Sequence, residues 1–461
     1  MFKFTQQRLV LVICILASFV AFLDGSIVNV ALPAIMRDLG GGLLLQQWVV
    51  DAYLVTLGSL MLIAGSLSDL FGRRRVLWFG LVGFLITSLL CAVATSGFIL
   101  VVARALQGIA GALLVPSSLA LIISTFSGRE QGKAIGTWTA WTGVAFVVGP
   151  LLGGFLVDTA SWRWTFAINV LPICATLWLM RGLAKTEQTE RVPLDVVGAV
   201  VCFLGLGGPV YALIEHTVYG WSSPYIYVPL VAGLLLTAYF IWHEHTAKHP
   251  MLPLSLFSIR NFTVGNVATT FIYAGLAVSS FLITVFVQQV EGYSALSAGM
   301  ALLPITIVML LLSSRFGALS GKFGPHIFMA VGPITSGAGM LLILGVAEPL
   351  HYWTQLFPGV TLFSVGLAAT VAPLTSAVLG SIDARQAGIA SAVNNAISRV
   401  AGLAAIAALG LVTGPHIDLH GFRRGIIAIA VLLILGGVVS ALGIRNPRGQ
   451  TAPLPNEIIP Q

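Results

Sequence analysis

Runs of about 20 mostly apolar residues dominate the chain, each long enough to cross a bilayer core of about 30 Å at 1.5 Å per residue. There are fourteen of them, near 9–34, 47–67, 76–95, 98–124, 133–157, 164–181, 195–214, 225–243, 262–289, 296–319, 326–346, 353–378, 387–412 and 424–443. Backbone N–H and C=O groups in lipid must find partners within the protein, so only helices or a closed barrel can span. The runs lack the short apolar–polar alternation of barrel strands, and an all-α integral membrane protein is expected. The first run does not read as a cleavable leader: it is too long, contains Asp24 and has no small-residue cleavage site before the next run. Only 8% of residues are charged, against roughly a quarter in soluble domains. That scarcity excludes a soluble enzyme. The net charge of +7 would suggest nucleic acid in a soluble chain; in a membrane chain it marks cytoplasmic loops, and no nucleic-acid partner is expected.

The basic residues orient the chain. With the N-terminus in the cytoplasm, Lys3, Arg8, Arg73, Arg74, Arg75, Arg129, Lys133, Arg181, Lys185, Arg191, Lys248, Arg260, Arg315, Lys322, Arg385, Arg445 and Arg448 all fall on the inner side. Only Arg37, Arg163, Arg423 and Arg424 fall outside, the last two being the awkward pair. The positive-inside rule then places both termini in the cytoplasm. An internal repeat adds an architecture. Gly65-Ser-Leu-Ser-Asp69-Leu-Phe-Gly72 recurs as Gly317-Ala-Leu-Ser-Gly-Lys-Phe-Gly324, each copy in a cytoplasmic loop after the second run of a block of six. Two six-span halves flanking an extra pair describe a duplicated transporter. The expected segments are 1–181 for the N-terminal half, 182–194 for a charged linker and 195–243 for the extra pair. The C-terminal half would occupy 244–443 and a cytoplasmic tail 444–461.

Gly65-Ser-Leu-Ser-Asp69-Leu-Phe-Gly72-Arg73-Arg74-Arg75 closely resembles the signature loop of the major facilitator superfamily, with Leu70 departing where a basic residue is frequent. Leu23-Asp24-Gly-Ser-Ile-Val-Asn29-Val-Ala-Leu-Pro33 is similar to the first-span motif of its fourteen-span drug:proton antiporters. Arg104-Ala-Leu-Gln107-Gly108 resembles the fourth-span motif, and Gly149-Pro150-Leu-Leu-Gly153-Gly154 the fifth-span antiporter motif. Trp162-Arg163-Trp164-Thr-Phe-Ala-Ile-Asn169 matches the start of span 6; the C-terminal half matches mainly through the degenerate loop and Asn394-Asn395-Ala-Ile-Ser-Arg399. The resemblance implies a major facilitator fold, two six-helix bundles plus two extra transmembrane helices. It also implies a proton-coupled multidrug efflux antiporter of the plasma membrane, exporting small lipophilic or cationic drugs as a monomer. Its partners would be protons, drugs and the lipid bilayer, with no cofactor.

The physics of the residues agrees. Glycines at 65 and 72 permit a tight turn, and Asp69 suits the positive N-terminus of a helix in the other half. Gly65, Asp69, Gly72, Arg73 and Arg74 are the candidate conformational latch; the alternative for the arginines is topology alone. Small residues at 149, 153 and 154 permit close helix approach, and Pro150 interrupts the hydrogen-bond ladder.

Charges inside the membrane are expensive and usually face a wet cavity. Asp24, Asp51, Arg104 and Arg399 are the ones well inside spans. Asp24, fifteen residues beyond Leu9, and Arg104, descending from the outside, both come to about 20 Å above the inner edge. Asp24, Asp51 and Arg104 are the candidate proton-coupling groups, because burial and a nearby cation push a carboxylate in opposite directions. A structural Asp24–Arg104 pair and an interfacial Asp51 are the alternatives. Candidate substrate contacts are Asp24, Asn29, Asp51, Tyr53, Gln107, Gln288, Asn394 and Asn395; a packing contact is the alternative for each. Arg399 is read as a helix-packing residue or an anion contact.

Other function classes fare worse. Gly128-Arg-Glu-Gln-Gly132-Lys133 and Gly317-Ala-Leu-Ser-Gly321-Lys322 lack the spacing and the Ser/Thr of a phosphate loop. Cys14, Cys91, Cys174 and Cys202 all lie in apolar runs, so neither disulfides nor a metal cluster are expected. His243, Glu244, His245 and His249 come nearest to a membrane-facing transferase site, a distant alternative. Export of one particular metabolite, antibiotic or lipid is the nearer one.

Overall fold

The structure is a computed structural model; it describes residues 6–126, 128–183, 194–248, 250–382, 386–414 and 417–446. Among these there is no strand, and 14 helical spans are long and apolar enough to cross a membrane. In chain order the first six spans are α1 (Gln6–Leu39), α2 (Gly42–Phe71), α3 (Arg73–Ala92), α4 (Gly97–Thr125), α5 (Gly128–Thr159), and the pair α6 (Trp164–Ala167) and α7 (Val170–Leu179). Spans 7 and 8 are α8 (Val196–Tyr219) and α9 (Pro224–Thr246). The rest are α10 (Arg260–Gln289), α11 (Ala295–Ala301) with α12 (Leu303–Phe323), α13 (Pro325–Leu342), α14 (Phe357–Leu379), α15 (Ala387–Ala407) with α16 (Leu409–Thr413), and α17 (Leu419–Gly443). Two of the interrupted spans break just before a proline. Pro172 and Pro304 lack the amide hydrogen that would close the turn behind them.

Helices α1–α7 pack chiefly on one another, through α1 on α5, α2 on α4 and α3 on α4. Likewise α10–α17 pack through α13 on α14, α13 on α17, and α10 on α15 and α17. The close approaches are made by glycine. Gly108 backs directly onto Thr56 and Tyr53 of α2, and Gly366 onto Gly332 and Ser336 of α13, so a Cβ at either position would displace the neighbouring helix. The two sets meet along two seams, α2 against α15 and α5 against α11, with α1 and α10 between them. Helix α8 covers the first seam, lying on α2, α15 and α16, while α9 packs on α8.

Two sequence expectations are adjusted. The repeated motif is not a loop: Gly65–Phe71 forms the last turns of α2, and Gly317–Phe323 those of α12. The reversals occur at Gly72 (φ 92°) and Gly324 (φ 82°), the left-handed region where only glycine is unstrained. Helices also outrun the apolar stretches, α1 having 34 residues against the 9–34 run, because a helix continues through the polar interface. The expected linker 182–194 and tail 444–461 lie largely outside the described residues, as do His249 and the side chain of Asp69.

Candidate functional site

Both termini of the helical array, the start of α1 and the end of α17, lie at the same end, here the terminal end; the opposite one is the far end. Asp24 of α1 sits in a polar cluster built from four helical segments. Arg104 Nη1 donates to Asp24 Oδ2 at 2.6 Å and to Gln107 Oε1 at 2.7 Å. Residues 104 and 107 are one turn apart on α4, so both reach the same acid. Gln107 Nε2 and Asn169 Nδ2 donate to Asp24 Oδ1 at 3.0 and 2.9 Å. Gln107 Nε2 also reaches Ser88 Oγ on α3 at 2.9 Å. Asn169 is available because the helix breaks between α6 and α7.

Arg104 has two further supports. Its Nε donates to the Val49 carbonyl at 2.9 Å, and its guanidinium lies 4.2 Å from the Tyr53 ring centre. Asp24 is 0% exposed and Arg104 1%, so neither water nor cargo touches the pair in this conformation. The charges cancel, and all three side chains that bond Asp24 come from within one six-helix set. Sequence reasoning set Asp24 and Arg104 at one depth and named Gln107 only as a candidate substrate contact; it did not place Asn169 or Ser88 in the cluster. The signal for Asn169 was its place at the end of the span 6 motif.

Asp51 belongs to a different surface. It lies two positions before Tyr53, about 200° around a helix, so it turns away from α4. On its own stripe of α2, Gln47 Nε2 donates to the Ile406 carbonyl at 2.7 Å and Trp48 Nε1 to Glu215 of α8 at 2.8 Å. Further along, Val55 packs with Val210, Ile214 and Leu403, and Gly58 backs onto Arg399 and Val400. Asp51 therefore lies in the seam between α2, α8 and α15. It is 0% exposed, and neither carboxyl oxygen has a hydrogen-bond partner. A buried anion with no donor is costly, which sets this acid apart from Asp24.

The remaining candidates do not converge on one site. Gln288 Nε2 donates to the Val30 carbonyl at 3.0 Å, linking α10 to α1. Asn394 pins α15 to α10 through Asn266 and Thr269, both at 2.9 Å. Asn29 is partly buried. Asn395 is exposed on α15, its amide donating to the Ser391 carbonyl at 3.0 Å. Arg399, one turn on, places its guanidinium 5.4 Å from the Phe22 ring centre, across the space between the sets.

At the far end the sets are sealed. The fifth-span motif divides its work: Gly149 and Gly153 accommodate Ser26 and Ile27 of α1, within the same set. Gly154 instead meets α11, where a Cβ would lie 2.5 Å from Leu296 Cα, and the Pro150 carbonyl lies 2.5 Å from where a Cβ on Gly299 would stand. Asp158, not anticipated, accepts from the Ala295 and Leu296 amides at 3.0 and 2.8 Å, so an acid caps the start of α11. Arg423 and Arg424, awkward for the charge count, donate at this end to the Val346 and Thr413 carbonyls at 2.7 and 3.2 Å, where helix ends leave carbonyls unpaired. Of the candidate latch residues, Arg74 donates through Nη2 to the Met180 carbonyl at 3.1 Å, holding α3 to the end of span 6.

The histidine-rich end of α9 is a junction. His243 bonds Asp195, the cap of α8, at 2.9 and 3.1 Å, and Glu244 accepts from the Leu252 amide at 2.8 Å. Among the described residues no group of three His, Cys, Asp or Glu is placed to hold a metal.

The model of the Major Facilitator Superfamily matches residues 14–406. A methylenomycin A resistance protein of Bacillus subtilis (strain 168) is 31% identical over 408 residues, covering 87% of each chain. The multidrug transporter protein MdtP of the same organism is 32% identical, over 89% of this chain and 76% of its own. The puromycin resistance protein pur8 of Streptomyces alboniger is 33% identical, over 89% and 83%. Among solved structures, a peptide transporter POT in complex with sulfate superposes with a TM-score of 0.70 at 15% identity, over 95% of this chain and 94% of its own.

Proposed function

Because this chain belongs to the major facilitator superfamily, we propose that it exports small lipophilic compounds in exchange for protons, by alternating access between its two six-helix sets. It is a membrane transporter rather than an enzyme, and its relatives include antibiotic-resistance and multidrug transporters. The positive-inside bias supports a cytoplasmic terminal end, a plasma-membrane location and both termini inside. The conformation described is then closed to the outside through Asp158, Gly154, Gln288 and Gln47, with the chain acting as a monomer.

One observation carries the proton coupling: Asp51, a dry carboxyl with no partner, lies on a seam that must rearrange for the far end to open. In our reading it carries its proton here and exchanges it when the seam parts. Asp24, held by three side chains, keeps Arg104 and span 6 in place so that the set moves as a unit. Gly65, Asp69, Gly72, Arg73 and Arg74 form the latch at the terminal end when that end closes. The resemblance implied lipophilic or cationic drugs, and a cation would need an acid open to the cavity. With Asp24 neutralised and Asp51 dry, neither offers a free negative charge in this conformation.

Proteoliposomes with an imposed pH gradient test the reading. In vesicles with an acidic lumen, wild type should accumulate an exported compound in the lumen against its gradient, and a lumenal pH probe should report alkalinisation as protons leave in exchange. Asp51→Asn should bind the compound yet lose gradient-driven accumulation. Accumulation by Asp51→Asn at wild-type rate would overturn the assignment.

A further inference from the structure

The space between the two sets is lined on the α15 side by a polar stripe. Ser391, Asn395, Ser398 and Arg399 recur at helical spacing on one face, while Asn394, off that face, ties the helix to α10. Helix α15 is hemmed in by α2 and α8 on one side and α10 on the other. The exposure of Asn395 and the partial exposure of Arg399 therefore open inward, toward the other set, rather than to lipid. A guanidinium at this depth is expensive unless a counter-charge or water meets it.

Among the described residues Arg399 has no carboxylate partner. Asp24 is committed to Arg104 at 2.6 Å. Asp51 lies higher on the seam: Gln47 faces Ile406 and Gly58 faces Arg399, so the residue between them faces the Leu403 region. The second set contributes no acid inside its spans to offset the cation. Phe22 of α1 lies under the guanidinium at 5.4 Å, leaving its edge N–H donors free for another acceptor.

Resting on the export reading above, we propose that Arg399 and Asn395 form an anion subsite in the central space, which takes the carboxylate of an aromatic or aliphatic acid whose apolar body lies against Phe22. A guanidinium matches a carboxylate with two parallel donors, and the Asn395 amide one turn below supplies another polar contact.

The test uses purified full-length protein and three probes with one apolar body: 2-naphthoate, 2-naphthamide and 2-naphthyltrimethylammonium. Binding is read by quenching of intrinsic tryptophan fluorescence, without a gradient. Wild type should bind the carboxylate tightest. Arg399→Gln should weaken naphthoate binding about 10- to 100-fold while leaving naphthamide unchanged, which also reports that the variant is folded. Arg399→Lys should restore most of the naphthoate affinity. Tighter binding of the ammonium probe by wild type, or equal loss for all three probes in Arg399→Gln, would overturn the proposal. Because binding needs no gradient, an intact carboxylate preference without proton-driven efflux would sink the export reading and leave this subsite standing.

Discussion

Replacing Gly154 by alanine should shift the transporter toward its far-end-open conformation. The added Cβ would stand 2.5 Å from Leu296 Cα and 2.7 Å from the Ala295 carbonyl oxygen, where carbon–carbon contacts settle at about 3.5–4.0 Å. Both obstacles are backbone, so no rotamer relieves them, and α5 must retreat from α11 by about 1 Å. Overpacking of this kind costs about 1–3 kcal/mol, and it is levied only while the far end is closed. The closed-to-open ratio should therefore fall by about 10- to 100-fold. Gly153→Ala is the matched control: its Cβ would meet Ile27 Cγ1 at 2.6 Å, but α1 and α5 move together, so it should lower thermal stability without changing the ratio. Fluorescent labels at Thr159→Cys and Glu348→Cys, with Cys174 and Cys202 replaced by alanine, report the distance across the far end. An unchanged distance in Gly154→Ala, or a shift of equal size in Gly153→Ala, would refute the reasoning.

Further expectations concern the acids. Asp158→Asn should favour opening in the same direction by about 1 kcal/mol, since it weakens the cap on α11; the same label pair checks it. Asp24→Asn and Arg104→Gln should each cost about 3–5 kcal/mol of stability by stranding a buried charge. Their double variant should be less damaging than the sum of the two, as measured by thermal unfolding in detergent, and strict additivity would argue against a paired charge. Asp51→Asn should leave the unfolding midpoint within a few degrees of wild type, because it removes no hydrogen bond.

The span count was legible because lipid thickness imposes a length that composition makes visible. Asp24 and Arg104 were legible as neighbours because helical rise converts sequence position into depth. Depth says nothing of azimuth, however. Asp51 and Tyr53 look adjacent in sequence yet serve opposite faces of α2, one in the seam and one under Arg104. Gln288 and Asn394 likewise read as cavity polarity but are spent on other helices, a distinction that only packing makes. Asp158 escaped notice because an acid at a span end looks like ordinary interface; its role depends on α11 from the other set beginning opposite it.

The position of α8 has a consequence for how cargo arrives. By covering α2, α15 and α16, it walls one of the two seams from the bilayer. At the other seam α5 packs on α11 at the far end, and among the described residues neither α8 nor α9 is in extensive contact with that pair. On the export reading, a compound dissolved in the bilayer is shut out at the α8 seam in every state, so lateral entry, if cargo uses it, is expected beside α5 only once α5 and α11 part. The extra pair makes a symmetric duplicated body one-sided.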